Sequence, residues 1–343
     1  MGKKRIELWG SLPEPYGGVS VHVQRLIQAL SGFDNISLLN FSKGRQIIAQ
    51  SNIRHSKGFI ADFLSVLLDR NVIVHLHTNR LMVLKLFSFF IKNRFLVTLH
   101  NKRFLNTIDQ SKFLNTLKSA LYVFSNDDEV CQILNKNNIN FVKVPAFLPP
   151  IGNNQIILPE EFIEFRKRNK LIFSMSIFGF NYLSSDDYGI EKLLSILKKY
   201  RHFDFGVCLC ISQPNEKDLT SFKSKLEELD LNSKVLFLIN KVANGSDIWG
   251  NSDGFLRLNN TDIEGFSVKE ALVLNTPVLA SDVCSRPLDT LLYESSRQED
   301  LELKFLKLLN ENDQLKTQLI NSDKADIINA IDIIKPIFKN ILQ

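Results

Sequence analysis

The chain has 343 residues, 44% of them hydrophobic, and a formal net charge of +5, a length that favours two domains over a single core. Its longest apolar run, residues 81–91, contains Lys85 and is much shorter than the roughly 20 residues of a transmembrane helix. Residues 1–5 lack the pattern of a secretory signal, so we expect a cytoplasmic protein.

Strand-like runs alternate with amphipathic helical patterns along the whole chain, which is typical of α/β proteins with parallel sheets. The first such unit is a strand at residues 5–9, a Gly-rich loop, and a helix with apolar residues from Val23 to Leu30 at helical spacing. Further strands are predicted at residues 36–39, 72–76, 95–99, 122–125 and 141–144. Residues 1–150 are therefore predicted to form one Rossmann-like domain.

A cluster of prolines interrupts this alternation, at Pro145, Pro149, Pro150 and Pro159. Proline lacks the amide donor and restricts the backbone, so we place an interdomain linker here. The second alternation has predicted strands at residues 171–176, 205–211, 235–238 and 277–280. It predicts a second Rossmann-like domain over residues 151–322, with one polar helix near residues 300–319.

The chain closes with an amphipathic helix at residues 323–343, in which Pro336 predicts a kink. Four cysteines are present without CxxC spacing, and Cys208 and Cys210 fall in a predicted buried strand. This pattern predicts reduced thiols and no metal site.

The most informative stretch lies between Phe255 and Pro287. Ser267 and Glu270 fit an S-x-x-E capping box, which predicts a helix that begins at this point. Asn275 can end that helix in the left-handed conformation. A helix N-terminus carries a partial positive charge and outward amides, which favour an anion or sugar hydroxyls.

Two carboxylates flank the start of this predicted helix. Asp262 lies in the preceding loop, eight residues before Glu270, so both can face one cleft. The spacing alone leaves open that Glu270 only completes the capping box and that Asp262 is an ordinary loop acid.

The stretch resembles the signature of family-four retaining glycosyltransferases, in which an acidic residue, seven others and a Glu precede a helix and a Pro-Val strand. It is most similar to members that build polysaccharides. The matching residues are Arg257, Asn260, Thr261, Asp262, Ser267, Val268, Glu270, Ala271, Leu272, Pro277, Val278, Ala280, Ser281, Asp282, Val283, Arg286 and Pro287.

Shorter motifs in the first half resemble the same family. Residues 15–30 resemble its Gly-Gly turn and first helix, residues 72–78 its V-H-x-H strand end, and residues 97–101 the strand that ends at its active-site His. Residues 146–150 resemble its interdomain segment. By themselves these motifs also fit a tight turn and a structural histidine.

The resemblance implies the GT-B fold, an α/β arrangement of two Rossmann-like domains whose parallel sheets face each other across a cleft. Residues 1–150 would be the N-terminal acceptor-binding domain and residues 151–322 the nucleotide-sugar-binding domain. Residues 323–343 would form a helix that crosses back to the first domain.

The resemblance also implies catalytic roles for three residues. Glu270 would hold the donor ribose, Asp262 would contact the donor sugar, and His100 would hydrogen-bond that sugar. The implied donor-binding residues are Gly17, Gly18, Gly265, Phe266 and Ser267. No metal and no cofactor are implied, because the nucleotide sugar is itself the substrate.

The sequence departs from the family pattern at the donor diphosphate. The usual Arg and Lys-Gly after the first strand of the second domain are missing, and Tyr188 precedes Gly189. The candidates for the replacement cation are Arg257, Lys241 and Arg286, all predicted at strand ends, although each also fits a surface or salt-bridged residue.

The implied function is that of a retaining, metal-independent, hexosyltransferase-like enzyme of surface polysaccharide biosynthesis, such as O-antigen or capsule. It would move a sugar from a nucleotide-sugar donor to a saccharide or lipid-linked oligosaccharide acceptor. Two alternatives stay open: a nucleotide-sugar epimerase or phosphorylase on the same fold, and a catalytically silent GT-B binding subunit.

Charge divides unevenly along the chain. Residues 1–150 hold 19 Lys and Arg against 9 Asp and Glu, whereas residues 151–343 hold 23 against 28. This asymmetry predicts an anionic partner for the first half, such as a phospholipid surface or a lipid-linked diphosphate, although a solvated basic surface also fits. We expect no nucleic-acid partner, because no recognised binding motif is present. An anionic membrane surface at the inner face of the plasma membrane fits residues 85–95, where basic residues alternate with phenylalanines, unless those rings are core.

Overall fold

The computed structural model describes residues 3–13, 18–42, 52–150, 158–240 and 245–343. The chain divides into two compact units. Unit 1 comprises Met1–Ile151 and Ile328–Gln343, and unit 2 comprises Gly152–Ile327. Each unit contains one parallel sheet with flanking helices, so the predicted α/β class is confirmed.

The sheet of unit 1 has seven parallel strands in the order β3-β2-β1-β4-β5-β6-β7. These strands are β1 (Arg5–Gly10), β2 (Ile36–Asn40), β3 (Ile53–His55), β4 (Val72–Leu76), β5 (Phe95–Leu99), β6 (Tyr122–Ser125) and β7 (Phe141–Lys143). Strands β1, β4 and β5 are almost wholly buried, as expected for a parallel sheet with helices on both faces. The chain reverses its direction of winding between β1 and β4.

Five helices follow these strands. They are α1 (Gly18–Ala29), α2 (Phe59–Leu68), α3 (Leu81–Phe90), α4 (Gln110–Leu117) and α5 (Asp128–Lys136). Helix α1 buries Val23, Leu26 and Ile27, the apolar side predicted from their spacing. Asp127 caps α5 by accepting a hydrogen bond from the Val130 amide, which fixes where that helix begins.

The sheet of unit 2 has six parallel strands in the order β10-β9-β8-β11-β12-β13. They are β8 (Leu171–Phe178), β9 (Phe205–Ser212), β10 (Val235–Ile239), β11 (Gly254–Arg257), β12 (Val278–Ser281) and β13 (Leu291–Tyr293). Winding reverses between β8 and β11, at the position that corresponds to the β1–β4 reversal in unit 1. Both sheets therefore have the Rossmann strand order.

Seven helices flank this second sheet. They are α6 (Glu160–Arg168), α7 (Ile190–Lys199), α8 (Glu216–Glu228), α9 (Gly245–Trp249), α10 (Phe266–Val273), α11 (Gln298–Asn310) and α12 (Asn312–Asn321). The prediction of one polar helix near residues 300–319 is wrong, because α11 ends at Asn310. The buried Asn312 side chain donates to the Asp253 carbonyl at 2.8 Å, which ties the start of α12 to unit 2.

The helix α13 (Ala330–Leu342) belongs to unit 1 although it follows unit 2 in the chain. Its Ala330 amide donates to the Phe147 carbonyl at 2.8 Å. Ile334 and Phe338 are buried in the same cluster as the residues of β1 and α1. The helix continues through Pro336. No helix in the described part of the chain is long and apolar enough to cross a membrane.

Candidate functional site

Each sheet has one topological reversal, and polar side chains collect at both. In open parallel sheets, ligands bind at the carboxyl ends of the strands beside such a reversal. In unit 1, β1 is followed by α1, which carries His22, and β4 is followed by His77. In unit 2, β11 ends at Arg257, next to β8 in the sheet. Each unit thus offers one candidate half-site.

Four histidines form the half-site of unit 1. His75 lies on β4, His77 and His100 follow β4 and β5, and His22 lies on α1. The ring centroids of His75 and His77 are 4.4 Å apart, and those of His22 and His100 are 5.0 Å apart. His77 Nδ1 and His100 Nε2 are hydrogen-bonded at 3.0 Å, and His75 Nε2 lies 2.7 Å from Thr98 Oγ1.

Burial keeps these rings neutral. Desolvation lowers the pKa of His22 to about 4, with a hydrogen bond to the Ala146 backbone acting in the opposite direction. Desolvation also lowers the pKa of His75 and of His100 to about 3, and it lowers that of His77 well below its usual value. Each ring therefore carries one N–H donor and one acceptor nitrogen.

Some of these ring nitrogens have no hydrogen-bond partner in the part of the chain that the structure describes. His22 Nε2, His75 Nδ1 and His77 Nε2 are buried without a hydrogen bond among the described residues. A buried polar atom in this state is costly unless water or a ligand satisfies it. Neutral imidazoles can both donate and accept, so the cluster suits hydroxyl groups better than a strongly charged ligand. Of these histidines, the sequence assigned a role only to His100.

The glycines assigned to donor binding in unit 1 are only partly described. Gly18 is the first residue of α1, and a Cβ added there would have no described atom within 4 Å, so the backbone is open to approach. Gly17 lies outside the described residues, as does Lys241 of the second half.

An ion-pair cluster forms the half-site of unit 2. Arg257 donates from Nε and Nη2 to the two carboxylate oxygens of Asp262, at 2.9 and 3.0 Å. Arg286 donates from Nη1 to Asp262 Oδ2 at 2.8 Å and from Nε to the Ser281 carbonyl at 3.1 Å. The sequence treated the two arginines as alternatives, but they share one carboxylate.

The Asp262 carboxylate remains charged in this setting. Burial acts to raise its pKa, but hydrogen bonds and charge from Arg257 and then Arg286 lower it to about 2. Two guanidinium groups therefore meet one carboxylate, which leaves one surplus positive charge. The Arg286 side chain is only 1% exposed, and its Nη2 has no hydrogen-bond partner in the described chain.

The cluster packs against the start of α10. Gly265 is the N-cap residue with φ +61°, and a Cβ there would lie 2.3 Å from Arg286 Nη1 and 3.0 Å from Asp262 Oδ2. Only glycine fits this close approach in a left-handed conformation. Phe266 and Ser267 are the first two residues of the helix, so its positive end adds to the surplus charge.

The predicted capping box is wrong. The N-cap is Gly265, which has no side chain, and the helix begins at Phe266, one residue before Ser267. Ser267 Oγ lies 3.4 Å from Ser176 Oγ on β8. Glu270 is buried and accepts a hydrogen bond from the Trp249 indole at 3.0 Å. The predicted left-handed Asn275 is confirmed, with φ +60°.

Tyr188, which stands where the family pattern has Lys, contacts this cluster. The Arg257 guanidinium lies 5.8 Å from the centre of the Tyr188 ring. The Tyr188 hydroxyl bonds both backbone groups of Phe178, donating at 2.9 Å and accepting at 3.0 Å. A cation is favoured over an aromatic face. Arg257 therefore packs on an aromatic ring at the position where the family pattern that the sequence resembles has Lys.

No group of three or more His, Cys, Asp or Glu could hold a metal ion within the described ranges. The neutral histidines of unit 1 can donate and accept hydrogen bonds, whereas Asp262 of unit 2 is charged and paired with two arginines.

Comparison with known proteins gives the fold. No protein-family model matches the sequence, and a search of curated proteins finds no similar sequence. Among solved structures, a glycosyltransferase from Rickettsia africae is similar, with a TM-score of 0.65, 16% identity, and 99% of each chain covered. HepE of Anabaena in complex with UDP-glucose has a TM-score of 0.59 and 13% identity, and 98% of this chain and 99% of HepE are covered.

WaaG, a glycosyltransferase involved in lipopolysaccharide biosynthesis, is also similar, with a TM-score of 0.55 and 12% identity over 97% of this chain and 99% of WaaG. At such identities the similarity shows a shared fold. The predicted GT-B fold class is therefore confirmed for the chain as a whole.

Proposed function

We propose that this chain is a retaining glycosyltransferase that moves a sugar from a nucleotide-sugar donor to a saccharide acceptor. The observation that carries the proposal is the cluster of Arg257, Arg286 and Asp262 at the start of α10. It lies at the topological reversal of a Rossmann sheet, where nucleotides bind in such folds. The similarity to glycosyltransferases, one of them bound to UDP-glucose, supports the same conclusion.

The donor diphosphate is proposed to bind at this cluster. Its charge is balanced by the surplus positive charge of the two arginines and by the N-terminus of α10. These groups replace the missing Arg and Lys of the family pattern. Arg257 is the main candidate because its guanidinium is partly exposed, whereas that of Arg286 is buried.

Three residues are proposed to act on the rest of the donor, as the resemblance implies. Glu270 holds the ribose hydroxyls, and the Trp249 indole orients its carboxylate. Asp262 contacts the sugar and holds the two guanidinium groups in place. His100 hydrogen-bonds the sugar, and His77, bonded to it at 3.0 Å, fixes which of its nitrogens carries the proton.

Retention and metal independence are part of the same proposal. In the same-face mechanism proposed for the family, the acceptor hydroxyl attacks the anomeric carbon from the side that the diphosphate leaves. A leaving phosphate oxygen takes the acceptor proton, so no carboxylate has to act as a covalent nucleophile. The main contribution of the protein is then electrostatic stabilisation of the leaving diphosphate by arginine and helix.

The acceptor is proposed to be a saccharide carried on a lipid, in the assembly of a surface polysaccharide such as O-antigen or capsule. The chain would work in the cytoplasm, at the inner face of the plasma membrane. The excess of basic residues in the first half supports this location, because a lipid-linked diphosphate and an anionic leaflet are both negatively charged.

The first test is binding, measured by calorimetry against a panel of nucleoside diphosphates and nucleotide sugars. Arg257→Gln should weaken the Kd for the best ligand at least about tenfold, since a charge-assisted contact is worth about 1.5–3 kcal/mol. Arg166→Gln is the matched control. Arg166 pairs with Asp253 at 2.8 Å. Asp253 lies just before the first residue of β11, whereas Arg257 is the last residue of that strand. Equal loss in both variants would contradict the assignment.

The second test is turnover. A glycosyltransferase releases nucleoside diphosphate in step with acceptor added, and NMR of the product reports the anomeric configuration. An epimerase would change the sugar without an acceptor, and a silent binding subunit would bind without release. Chelation by EDTA should leave the rate unchanged, and a loss restored by Mn²⁺ or Mg²⁺ would contradict metal independence.

A further inference from the structure

Helices α2 and α3 of unit 1 carry exposed apolar side chains on their outer sides. On α2 these are Ile60, Leu64 and Leu68, spaced four residues apart, and on α3 they are Met82, Phe89 and Phe90. All six are between 49% and 85% exposed. We call this surface the α2–α3 face. Single exposed apolar residues are ordinary on proteins, but six on two adjacent helices form a patch.

The packing of the fold does not use these six side chains as core. Each helix already buries its inner side, with Phe63 and Val66 on α2 and Leu84 and Phe87 on α3. The Phe63 ring of α2 contacts those of Phe87 and Phe90 on α3, with centroids 5.2 and 6.0 Å apart, so the two helices touch at this point. Of the phenylalanines near residues 85–95, Phe87 and Phe95 are core, whereas Phe89 and Phe90 point outward.

The charges around this face are mainly basic, and an acid near Lys85, Asp109 just before α4, is paired with Lys112 at 2.8 Å. The exposed basic residues of the face are Lys57, Arg70, Arg80, Lys85 and Lys92. The two acidic residues between residues 57 and 95 both form salt bridges with arginine side chains. Asp62 is buried and bonded to Arg54 at 3.1 Å, and Asp69 pairs with Arg5 at 2.9 Å. Lys85 lies with Met82, Phe89 and Phe90 around an open groove on α3.

We propose that the α2–α3 face docks on an anionic lipid bilayer, with both helices in the plane of the interface. The apolar side chains would enter the boundary between headgroups and acyl chains, and the lysines would contact lipid phosphates. Each helix has ten residues, about 15 Å, which suits lying on a membrane rather than crossing it.

A second copy of the chain is a less suitable occupant. In a symmetric dimer the same patch meets itself, so the lysines and arginines of one copy would face those of the other. Like charges brought together oppose association. A bilayer that contains anionic lipid supplies the opposite charge over a flat area. The charge pattern therefore favours the membrane.

Docking would bring the protein to a membrane-bound acceptor, so the purpose of the docking, but not the docking itself, rests on the proposed function. Vesicle binding is measured without donor or acceptor, so a failure of this proposal can be distinguished from a failure of the proposed function. The full chain is sedimented with phosphatidylcholine vesicles, with or without phosphatidylglycerol, at low and high salt. We expect binding to the anionic vesicles at low salt, and at least about tenfold less with neutral vesicles or at high salt.

Two surface variants separate the contributions of charge and apolar contact. Lys85→Glu/Lys92→Glu, which tests charge, should weaken binding to anionic vesicles at least about tenfold. Leu64→Ser/Phe89→Ser, which tests apolar contact, should weaken that binding at every salt concentration. The matched controls are Lys170→Glu/Lys217→Glu and Leu303→Ser, which change exposed residues of unit 2. These should bind as the parent does. Because all the altered side chains are exposed, circular dichroism should show that every variant is folded.

Insertion of the α2–α3 face into the bilayer can be measured directly by the fluorescence of a Phe89→Trp variant. The two native tryptophans, Trp9 and Trp249, are buried and give a constant background. Emission of the new indole should shift to shorter wavelength with anionic vesicles and be quenched by brominated acyl chains. Equal sedimentation with neutral vesicles, unchanged binding of the surface variants, or a dimer in solution that Leu64→Ser/Phe89→Ser dissociates would each overturn the proposal.

Discussion

The two half-sites keep polar groups buried in different ways. In unit 1, four histidines lie together and burial lowers their pKa values, so they are neutral. In unit 2, Asp262 is charged and two arginines hold it at hydrogen-bond distance. The first arrangement avoids charge, whereas the second pairs charges and leaves one guanidinium in excess of the carboxylate. The same strand order can therefore present hydroxyl-binding groups at one reversal and an anion-binding group at the other.

The largest expected effect is an acid sensitivity of unit 1. The unfolded histidines take up protons near pH 6.5, but His22, His75 and His100 resist protonation when folded. Their contribution to stability is therefore complete above about pH 7 and is lost as the pH falls toward the folded pKa values. At about pH 5 we expect each to lower the free energy of unfolding by roughly 2 kcal/mol.

Urea unfolding at several pH values tests this, and each unit holds one tryptophan as a reporter. Trp249→Phe leaves Trp9 of unit 1, whose transition should move to lower urea as the pH falls. Trp9→Phe leaves Trp249 as the reporter of unit 2. The transition of unit 2 should shift less with pH, because Asp262 stays charged over this range. His22→Gln/His75→Gln should flatten the dependence, whereas the control His55→Gln, at an exposed residue of β3, should not. A pH-independent Trp9 transition would contradict the prediction.

Next in size is the effect of removing the shared carboxylate in unit 2. Asp262→Ala leaves the buried Arg286 guanidinium without its partner, and we expect a loss of about 3 kcal/mol in the free energy of unfolding. Trp249 fluorescence in urea measures it. Asp262→Leu/Arg286→Met removes the carboxylate together with the buried guanidinium, leaves only the partly exposed Arg257, and should recover part of the loss. Asp313→Ala, an exposed acid on α12, is the control, and a loss below about 1 kcal/mol for Asp262→Ala would be inconsistent with a paired buried cluster.

A smaller effect is expected at Gly189, which follows Tyr188 and packs against Leu258, the residue after Arg257. Gly189 has φ +71°, and a Cβ there would lie 2.1 Å from the Leu258 carbonyl oxygen. Gly179 has nearly the same φ, +65°, but nothing nearer than 3.8 Å. Gly179→Ala should therefore cost about 1 kcal/mol, from backbone conformation alone, and Gly189→Ala about 2 kcal/mol or more. Equal thermal midpoints for the two variants would show that the close approach does not matter.

The smallest expected change in stability belongs to unit 1. Gly18→Ala adds a methyl group where no described atom lies within 4 Å, at the first residue of α1. The free energy of unfolding should change by no more than about 0.5 kcal/mol. If the backbone here approaches the donor diphosphate, the same variant should still weaken the Kd for the nucleotide sugar. Unchanged affinity would remove Gly18 from the donor site.

The sequence predicts the sheets well because their signals are local. The strands expected at residues 72–76, 95–99 and 122–125 coincide with β4, β5 and β6. The short strands β3 and β13 were not predicted, since three residues carry too little periodicity. Local chemistry also misled at α10, where a left-handed Gly265 rather than a serine side chain begins the helix.

The half-sites depend on contacts that no local pattern contains. His22 and His77 are 55 positions apart, and only the pairing of β1 with β4 brings α1 beside the end of β4. A usable signal existed, because His75 and His77 are two positions apart at the end of β4, a spacing that puts both side chains on the same face. The ion pairs of Arg257 and Arg286 with Asp262 likewise depend on a long-range contact, because they require β11 and β12 to be neighbours in the sheet.

The position of α13 in the chain has a consequence for how the protein is made. A ribosome synthesises β1 to β7 first and then the whole of unit 2 before it reaches Ala330. Until α13 has been made, unit 1 therefore keeps uncovered the apolar residues that will contact Ile334 and Phe338. The domain begun first is thus finished last, and the interval is where a nascent chain of this protein is most exposed to chaperones and to aggregation.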